Sequence, residues 1–570
     1  MATTLKKTNV VIIGLGAAGG VACLPLAQSG LEVIGLEAGS WLDTKDMAPD
    51  ELKLNRGLWP PGPQKTKLEG ITVRANDSQT ATRVNHPMMN AVGGTSVHYW
   101  AQSWRLNPWD FKVRSETIRR YGPSRIPKGS TIEDWPLTYE ELEPYYDKVE
   151  YEIGVSGKAG NIAGKKDERG NIFEGARKRE YPLSPLRTSG YMEKMIAAAK
   201  SLGWHSFVAP AAITSRPYNG RPGCAYHGYC SGAGCHISAK SSTAVTTIPK
   251  AMKAGKFTVV TEARVTTIEV ENNGRVSGVN YLKAGQEYFQ PADAVLVASY
   301  AYENARLLLL SKSKAYPNGL SNNHHQVGKH YFSHNQGGAV SALFPFNLNN
   351  WYGTPAQGIA IDNWADDNFD HSGLDFIGGG NLYTYTERRP MAAINGVQAW
   401  MQGGPNWGSK WKAFVKENAD RWNVAYLQKT TLPYEDNYLD LDPVVKDPLG
   451  FPVIRITAEY KDNERKIGTF IAEKMRQWYM AAGASRVNGD GNVAGSMFAS
   501  THAYGGTRMG DNPETNVVDR WGFSHEAPNL GILGGSVMGT SGARNPTQTL
   551  QALAWRTAEH LAQNWKNIVK

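Results

Sequence analysis

The sequence predicts an α/β fold in which a Rossmann-like domain is joined to a second domain of β-sheet and helices. Two observations carry this prediction. A glycine-rich turn near the N-terminus separates a β-branched run from a helical stretch, and a second apolar run follows that stretch. Strand, glycine turn, helix and strand in this order are the pattern of a βαβ unit in a parallel sheet.

The first elements of this unit can be assigned in order. Residues 9–13 are a short β-branched run, which is typical of a buried strand. A helical stretch follows the turn and continues to about Ser29, where Gly30 closes it. Pro25 removes a backbone hydrogen bond inside this helix, so we expect it to kink the helix or to end it early. A second strand is expected from Leu31 to Leu36.

Later elements follow from the same patterns. Residues 257–282 alternate apolar and polar positions on both sides of the turn Asn272–Gly274, which predicts a β-meander. Residues 293–299 are expected to form another buried strand. The stretch 345–410 is rich in Asn, Gly, Trp and Tyr, and it predicts long loops and strands of a substrate-facing lobe. Further helices are expected at 302–311 and 546–565.

The glycine turn reads Gly-x-Gly-x-x-Gly and indicates a dinucleotide site. Gly14 permits the tight turn, Gly16 lets the backbone approach a pyrophosphate, and Gly19 lets helix and strand pack closely. Free N–H groups at the N-terminus of the helix stabilise the phosphate charge. Glu37, at the end of the second strand, is in the position of a carboxylate that accepts hydrogen bonds from a ribose. The pattern does not distinguish FAD from NAD.

Composition narrows the function classes. The chain has 570 residues, of which 20% are charged, and its net charge is +9. The Lys and Arg residues are dispersed, so we expect a solvated basic surface and no nucleic-acid-binding role. The uncharged run from Asn9 to Ser29 resembles a signal peptide, but glycines and Pro25 interrupt it and a second strand follows it directly. We therefore expect a soluble chain with no transmembrane segment and no export signal of its own.

Six segments of the chain carry specific motifs, and through them the chain resembles the glucose–methanol–choline (GMC) oxidoreductase family nearly from end to end. They are Ile12–Gly19 with Gly35–Gly39, Asn90–Trp100, Asp134–Tyr146, Val295–Leu308, His502–Gly510 and Gly535–Thr547. The resemblance implies FAD rather than NAD as cofactor. It also implies two domains built from separated segments: an FAD-binding domain from 1–115, 215–335 and 495–570, and a substrate-binding domain with cap loops from 116–214 and 336–494.

The resemblance also assigns the residues that contact the cofactor. The implied FAD-binding residues are Gly14, Gly16, Ala18, Gly19, Glu37, Gly93, Gly94, Thr95, His98, Val265, Gly535, Asn545 and Thr547. In related flavoproteins, a His in the loop that holds His98 can be bonded covalently to the flavin ring. Two interpretations of His98 stay open: it is the covalent attachment point, or it packs beside the flavin.

The same resemblance places the catalytic base at His502 and a second active-site residue at Asn545. A His/Asn pair is more typical of the family branch that oxidises sugars. Oxidising an alcohol removes a proton from oxygen and a hydride from carbon, and a neutral imidazole is the side chain best suited to take the proton near pH 7. Asn545 can hold the substrate oxygen without titrating. The alternative for His502 is a purely structural histidine.

Three of the four cysteines lie close together in the sequence, as Cys224, Cys230 and Cys235 in a glycine-rich loop at 221–240. So few cysteines cannot make a disulfide framework for a chain of this length, and their spacing indicates metal ligation. Three thiolates favour a three-iron, four-sulfur cluster. The alternatives are zinc bound by these thiolates with His227 or His236, and free thiols.

A one-electron cluster near a flavin suits a relay to a haem acceptor, whereas an oxidase needs none. The sequence therefore predicts an FAD-dependent sugar, sugar-acid or glycoside dehydrogenase. Because the chain lacks Cys-x-x-Cys-His, a c-type cytochrome partner subunit is expected, together with a small subunit that carries an export signal. The complex would lie in the periplasm at the inner membrane, with the cytoplasm as the alternative.

Two other functions stay open. The first is a soluble oxidase of the same fold that produces hydrogen peroxide, and the second is a non-catalytic flavin- or nucleotide-binding protein with a zinc-bound loop. The presence of His502 and Asn545 disfavours the non-catalytic protein.

Overall fold

The structure, a computed structural model, describes residues 2–47, 49–52, 70–334, 339–403, 406–425, 427–491 and 500–570. Within these ranges the α-helices are Gly19–Gln28, Val113–Tyr121, Tyr139–Ile153, Gly190–Ser201, Thr247–Lys253, Ala301–Leu310, Pro390–Val397, Gly408–Asn418, Asp462–Ala481, Thr547–Gln563 and Trp565–Ile568. The strands with at least four residues are Thr8–Ile13, Val33–Leu36, Ile71–Arg74, Phe257–Val260, Arg264–Val270, Val276–Lys283, Gln286–Val297, Val340–Leu343, Gly358–Ile361, Gly380–Tyr385, Trp422–Ala425, Tyr438–Lys446 and Pro452–Thr457.

A mixed sheet forms the centre of the nucleotide-binding region. Thr8–Ile13 pairs in parallel with Val33–Leu36 on one side and with Gln286–Val297 on the other. The short strand Leu530–Ile532 also pairs in parallel with Gln286–Val297, so a segment near the C-terminus joins this sheet. The central strands are buried on both faces, and their side chains alternate between two hydrophobic cores. This burial explains why their sequences are continuous apolar runs.

The expected βαβ unit is confirmed, with one difference at Pro25. The first helix runs from Gly19 to Gln28, so it continues for three residues past the proline instead of ending there. Pro25 lies within the last turn of this helix, where few later hydrogen bonds depend on its geometry. Ser29 is the C-cap, and its backbone N–H donates to the carbonyl oxygen of Pro25 at 3.1 Å.

The expected meander is confirmed only in part. Arg264–Val270 and Val276–Lys283 form an antiparallel pair around the predicted turn, and Gln286–Val297 continues it. Phe257–Val260, however, pairs in parallel with Val33–Leu36 at the other end of the path of strands. Its apolar alternation fits either partner, because alternation reports which face is buried and not which strand lies beside it.

The second lobe has its own sheets and core. Gly380–Tyr385 pairs with Gly358–Ile361, and the long helix Asp462–Ala481 packs against this sheet. Its core includes Ile467, Trp478 and other buried residues separate from the two cores of the central sheet. The region 345–410 contains the expected strands and also the helices Pro390–Val397 and Gly408–Asn418, which its weak periodicity did not predict.

One further sheet joins segments from both predicted domains. Ile71–Arg74, from the first segment of the predicted FAD-binding domain, pairs in parallel with Pro452–Thr457 from the predicted substrate-binding domain. The domain boundaries given above stay a prediction. Among the described residues, no helix is long and apolar enough to cross a membrane.

Candidate active site

A cavity of about 570 Å³ passes between the glycine turn and the two C-terminal motifs. Most of the residues predicted to contact the cofactor line it: Gly14, Gly16, Ala18, Glu37, Gly94, Thr95, His98, Val265, Gly535, Asn545 and Thr547. His502 lines it as well. Gly19 and Gly93 are not among the lining residues. The structure therefore brings together residues from five distant segments of the chain around one elongated space.

The glycine turn is shaped as the sequence indicates. Gly14 has a φ of +87°, and a Cβ atom there would lie 2.7 Å from the carbonyl oxygen of Ala298. Gly94 has a φ of +52°, and a Cβ atom there would lie 2.8 Å from the Cα of Gly16. The two glycine segments thus approach each other too closely for a side chain on Gly94, so bare backbone lines the cavity at Gly14, Gly16 and Gly94.

Gly19 and Gly93 support this turn from outside the cavity. A Cβ atom on Gly19 would lie 2.0 Å from the carbonyl oxygen of Gly14, so its role is the close packing of helix on strand. The backbone N–H of Gly93 donates to the carbonyl oxygen of Leu15 at 2.9 Å and thereby joins the second glycine segment to the first.

Glu37 is a buried residue of the cavity wall. Its Oε2 accepts a hydrogen bond from the backbone N–H of Leu15 at 2.9 Å, and its Oε1 accepts one from Gly39 at 2.9 Å. Burial raises the pKa of Glu37 to about 7, against the opposing effect of these backbone hydrogen bonds. A carboxyl group has further lone pairs, so Glu37 can hold the turn and still accept a hydrogen bond from a ribose.

The predicted flavin loop contributes a short 3₁₀ helix, Gly94–Val97, that ends at His98. The backbone N–H of His98 donates to the carbonyl oxygen of Thr95 at 3.1 Å. His98 lines the same cavity as His502, so it can contact a flavin bound there. Its covalent attachment stays a prediction.

The other predicted cofactor contacts also line the cavity. Val265 lines it in the strand Arg264–Val270, and Thr547 is the first residue of the helix Thr547–Gln563. Gly535 begins a short 3₁₀ helix, and a Cβ atom there would lie 2.3 Å from the carbonyl oxygen of Ala503. The cavity wall thus combines bare glycine backbone, the Glu37 carboxyl group and a helix N-terminus at Thr547, and this set of groups fits FAD.

His502 and Asn545 meet in this cavity. Asn545 Nδ2 lies 3.3 Å from His502 Nε2, although the two residues are separated by 43 positions. His502 is only 9% exposed. Burial holds the pKa of His502 well below its usual value, and the neighbouring His334 lowers it further. The imidazole is therefore neutral near pH 7, as a general base must be.

Gln428 orients the amide of Asn545. Its Nε2 donates a hydrogen bond to Asn545 Oδ1 at 3.0 Å, which turns the Nδ2 group of Asn545 toward His502. The Oε1 atom of Gln428 is buried without a hydrogen-bond partner among the described residues. A substrate hydroxyl group could donate to it. No sequence pattern selects Gln428, because it lies in no motif and reaches the site from the second lobe.

The residue before Asn545 is held by a buried charge network. Arg544 donates from Nη1 to Asp366 Oδ2 and from Nη2 to Asp362 Oδ2, both at 2.5 Å. Asp110 Oδ2 lies 3.8 Å from Arg544 Nη1. Burial, together with the charge of Asp366, raises the pKa of Asp110 well above its usual value, whereas the charge of Arg544 lowers it. This network fixes the loop that presents Asn545 to the cavity.

The cysteine loop reaches the wall of the cavity. Its residue Gly232 is part of the cavity wall. Cys230 is buried, and Cys224 and Cys235 are half-buried. Burial raises the pKa of Cys224 to about 11 and that of Cys230 to about 12. The fourth cysteine, Cys23, is buried in the first helix.

Lys240 joins this loop to the predicted flavin loop. Its Nζ donates to the carbonyl oxygens of Tyr99, Cys230 and Ala233 at 3.0, 3.1 and 2.6 Å. Burial lowers the pKa of Lys240, whereas the charges of Cys230, Cys235 and Cys224 raise it. The three thiols and the Glu387 carboxyl group therefore all lie within electrostatic reach of the buried Lys240 amine.

No group of three or more His, Cys, Asp or Glu side chains in the described parts of the chain could hold a metal ion. This finding applies to the predicted iron–sulfur cluster as well as to zinc, so a metal on Cys224, Cys230 and Cys235 stays a prediction. His227 and His236, the additional zinc ligands considered above, bond to each other instead, with Nε2 and Nδ1 3.2 Å apart.

The chain is similar to known proteins along nearly its whole length. Family models described as GMC oxidoreductase match residues 130–336 and 433–554. The chain is 32% identical to the gluconate 2-dehydrogenase flavoprotein of Pantoea cypripedii, over 99% of this chain and 95% of that protein. It is 29% identical to the 2-methyl-1,2-propanediol dehydrogenase of Mycolicibacterium austroafricanum, over 100% and 98%. It is 27% identical to the fructose dehydrogenase large subunit of Gluconobacter japonicus, over 99% and 100%.

Solved structures support the fold. The crystal structure of pyridoxine 4-oxidase from Mesorbium loti matches with a TM-score of 0.60 at 15% sequence identity, over 97% of this chain and 99% of that one. At this identity the likeness concerns the arrangement of the elements alone.

Proposed function

The chain belongs to the GMC oxidoreductase family of FAD-dependent enzymes that act on CH–OH groups, and from this premise we propose a specific activity. The enzyme oxidises a hydroxyl group of a sugar, sugar acid or glycoside to a carbonyl. Cys224, Cys230 and Cys235 would hold an iron–sulfur cluster, which would supply one-electron transfer from the flavin to a cytochrome partner.

The observation that carries this proposal is the pairing of His502 with Asn545 in the cavity. A hydroxyl oxygen placed between them accepts a hydrogen bond from Asn545 Nδ2 and directs its proton at His502 Nε2. FAD, when bound, supplies the acceptor for the hydride that leaves the carbon. The proton moves to His502 Nε2 as the C–O bond becomes a carbonyl, so the substrate loses two electrons and two hydrogens.

Three features support a polyhydroxy substrate. Two of the relatives are named for gluconate and fructose and a third for a diol, so all three act on compounds with more than one oxygen function. Gln428 Oε1 is a buried acceptor next to Asn545, where a second hydroxyl group of the substrate can bind. Trp100 and Gln102 line the same cavity, and they offer an aromatic face and an amide to a sugar ring.

The relay part of the proposal rests on the position of the cysteine loop. Gly232 lines the cavity, and Lys240 connects the loop to Tyr99, the neighbour of His98. The words "flavoprotein" and "large subunit" in the relatives' names describe one component of a larger assembly. We propose a three-iron, four-sulfur cluster rather than zinc, a c-type cytochrome subunit, a small subunit that carries the export signal, and a location at the periplasmic face of the inner membrane.

Anaerobic flavin bleaching tests the activity. The purified enzyme is mixed with a panel of sugars, sugar acids, glycosides and simple alcohols, and the products are analysed by mass spectrometry and NMR. We expect bleaching by at least one polyhydroxy compound with formation of the matching carbonyl, together with iron and acid-labile sulfide in the protein.

Two outcomes would contradict the proposal in different ways. A flavin that stays yellow with every compound favours a non-catalytic flavoprotein. Rapid reoxidation of the reduced flavin by oxygen, with stoichiometric hydrogen peroxide and no iron in the protein, favours the oxidase.

A further inference from the structure

A second histidine, His334, lies behind His502 on the side away from Asn545. It is 0% exposed, and nothing in its own sequence segment marks it as functional. Two short strands bring it there: Phe332 pairs with Tyr504, and Ser333 pairs with Ala503. The antiparallel pairing continues for one more step, because the backbone N–H of His334 donates to the carbonyl oxygen of His502 at 3.1 Å.

The hydrogen bonds of His334 determine which of its ring nitrogens carries the proton. Nε2 lies 2.9 Å from the carbonyl oxygen of Gly542, which can only accept a hydrogen bond. Nε2 of His334 therefore carries the hydrogen. Burial lowers the pKa of His334 to about 4, so the ring is neutral near pH 7 and its Nδ1 is an acceptor.

The tautomer of His502 follows from that of His334. His334 Nδ1 lies 3.1 Å from His502 Nδ1, and an acceptor on one side requires the hydrogen on the other. His502 Nδ1 therefore donates, and its Nε2 keeps the lone pair. Asn545 leads to the same result independently, because its Nδ2 group is a donor and lies 3.3 Å from His502 Nε2.

We propose that His334 is a positioning residue that holds His502 in the Nδ1–H tautomer and directs the Nε2 lone pair of His502 at the substrate hydroxyl. This inference deepens the proposed function and rests on it for the identity of the proton donor. The chain of bonds runs from the substrate O–H to His502, then to His334, and ends at the carbonyl oxygen of Gly542.

His334 also stabilises His502 after proton transfer. When the substrate proton binds to Nε2, His502 becomes an imidazolium, and its Nδ1–H bond to His334 becomes charge-assisted and stronger. Tyr504 is the second residue, after His502, that contacts His334 Nδ1; its hydroxyl oxygen lies 3.1 Å from that nitrogen. Burial raises the pKa of Tyr504 well above its usual value, and the charge of Asp110 raises it further. Tyr504 therefore stays protonated, so its hydroxyl group is a second donor to the His334 Nδ1 lone pair and adds no negative charge beside His502.

Two substitutions separate the two hydrogen bonds of His334. In His334→Asn, the amide oxygen occupies the position of Nδ1 and can accept from His502, but the side chain is too short to reach Gly542. In His334→Gln, the amide nitrogen occupies the position of Nε2 and can donate to Gly542, but no acceptor faces His502. His371→Gln is a matched control, because His371 is 1% exposed and its Nε2 lies 2.8 Å from the carbonyl oxygen of Gly378.

The test is anaerobic stopped-flow reduction of the flavin, with the limiting rate and the apparent substrate affinity measured separately in the holoenzyme. We expect His334→Gln to lower the limiting rate by about 10²-fold, the lower end of the range for loss of a general base. We expect His334→Asn to keep the limiting rate within about tenfold of the unmodified enzyme, since it restores the acceptor, and His371→Gln to leave it unchanged. Substrate affinity should change little in either His334 variant, because His334 does not touch the substrate.

A purely structural role predicts the opposite order, with His334→Gln at least as active as His334→Asn, and that order would overturn the proposal. NMR of ¹⁵N-histidine-labelled enzyme gives a second readout that needs no substrate. We expect His502 as the Nδ1–H tautomer in the unmodified enzyme and a shift toward Nε2–H in His334→Gln; an Nε2–H tautomer in the unmodified enzyme refutes the inference even if the enzyme oxidises no alcohol. If no compound bleaches the flavin while the Nδ1–H tautomer is present, the proposed function fails and the positioning of His502 stands.

Discussion

Replacing Gln428 with Glu tests how the amide of Asn545 is oriented. The hydrogen bond from Gln428 Nε2 to Asn545 Oδ1 is 3.0 Å long, and it is the contact that turns Asn545 Nδ2 toward His502. A Glu side chain has the same shape but no donor. Its carboxylate repels Asn545 Oδ1 and attracts Nδ2, so we expect the amide to rotate by half a turn and to direct its oxygen at His502 Nε2.

The expected magnitude follows from the hydrogen bond lost. A buried polar group left without its partner costs about 1–3 kcal/mol, which corresponds to about 5- to 150-fold in a rate if the whole effect is expressed in the transition state. Gln428→Leu removes the donor without attracting Asn545 Nδ2, so we expect a decrease near the lower end of this range. Gln428→Glu also removes the hydrogen bond to the substrate oxygen, and we expect a decrease at the upper end or beyond.

The assay is the limiting rate of anaerobic flavin reduction for both variants, with FAD content measured by absorbance. The order of the two variants is decisive, because a simple packing role for Gln428 would make the isosteric Glu the milder change. If Gln428→Glu reduces its flavin as fast as Gln428→Leu or faster, the proposed orientation of Asn545 is wrong.

Three further predictions concern other parts of the chain. Cys230→Ser should leave anaerobic flavin bleaching largely intact but greatly slow reduction of the cytochrome partner; full-rate cytochrome reduction would reject the relay. His98→Ala should make all of the FAD releasable on denaturation, and flavin that stays on the protein would show that His98 is not the attachment point. Arg544→Met should destabilise the fold by about 3–5 kcal/mol in urea unfolding, since it leaves Asp362 and Asp366 buried without a counter-charge. The control Arg119→Met removes an exposed pair with Glu116 and should cost at most about 1 kcal/mol; equal losses in the two variants would contradict the role of the network.

The sequence predicted the nucleotide-binding unit well because its signals are local. Gly14, Gly16 and Glu37 lie within one short stretch, and each has a backbone or hydrogen-bonding role that its residue type reveals. The same applies to His502 and Asn545, which lie in recognisable motifs, and the structure places them 3.3 Å apart. Their catalytic roles stay predictions.

The residues that sequence reasoning missed are those that act across long distances in the chain. His334 reaches His502 through a pairing of two-residue strands, and no periodicity can indicate so short a pair. Gln428 lies on the strand Gln428–Lys429, opposite Asn381 of the second lobe, and its partner Asn545 lies 117 positions away. The parallel partner of Phe257–Val260 was missed for the same reason, because alternation identifies a buried face but not a neighbouring strand.

The metal site on Cys224, Cys230 and Cys235 stays a prediction. Three thiols in a glycine-rich loop indicate metal binding. Gly232 of this loop lines the cavity, and Lys240 bonds both to the loop and to Tyr99. Spacing alone could not reveal Lys240, whose charge acts on all three thiols.

The central claim is that His502 takes the proton of a substrate hydroxyl group inside the FAD cavity. The most direct test is the limiting rate of anaerobic flavin reduction in His502→Ala, measured with the best substrate of the panel and compared with the surface variant His324→Ala. We predict that the rate in His502→Ala falls by at least about 10²-fold while FAD stays bound, and that it is unchanged in His324→Ala. A near-normal rate of flavin reduction in His502→Ala would contradict the assignment of His502 as the base.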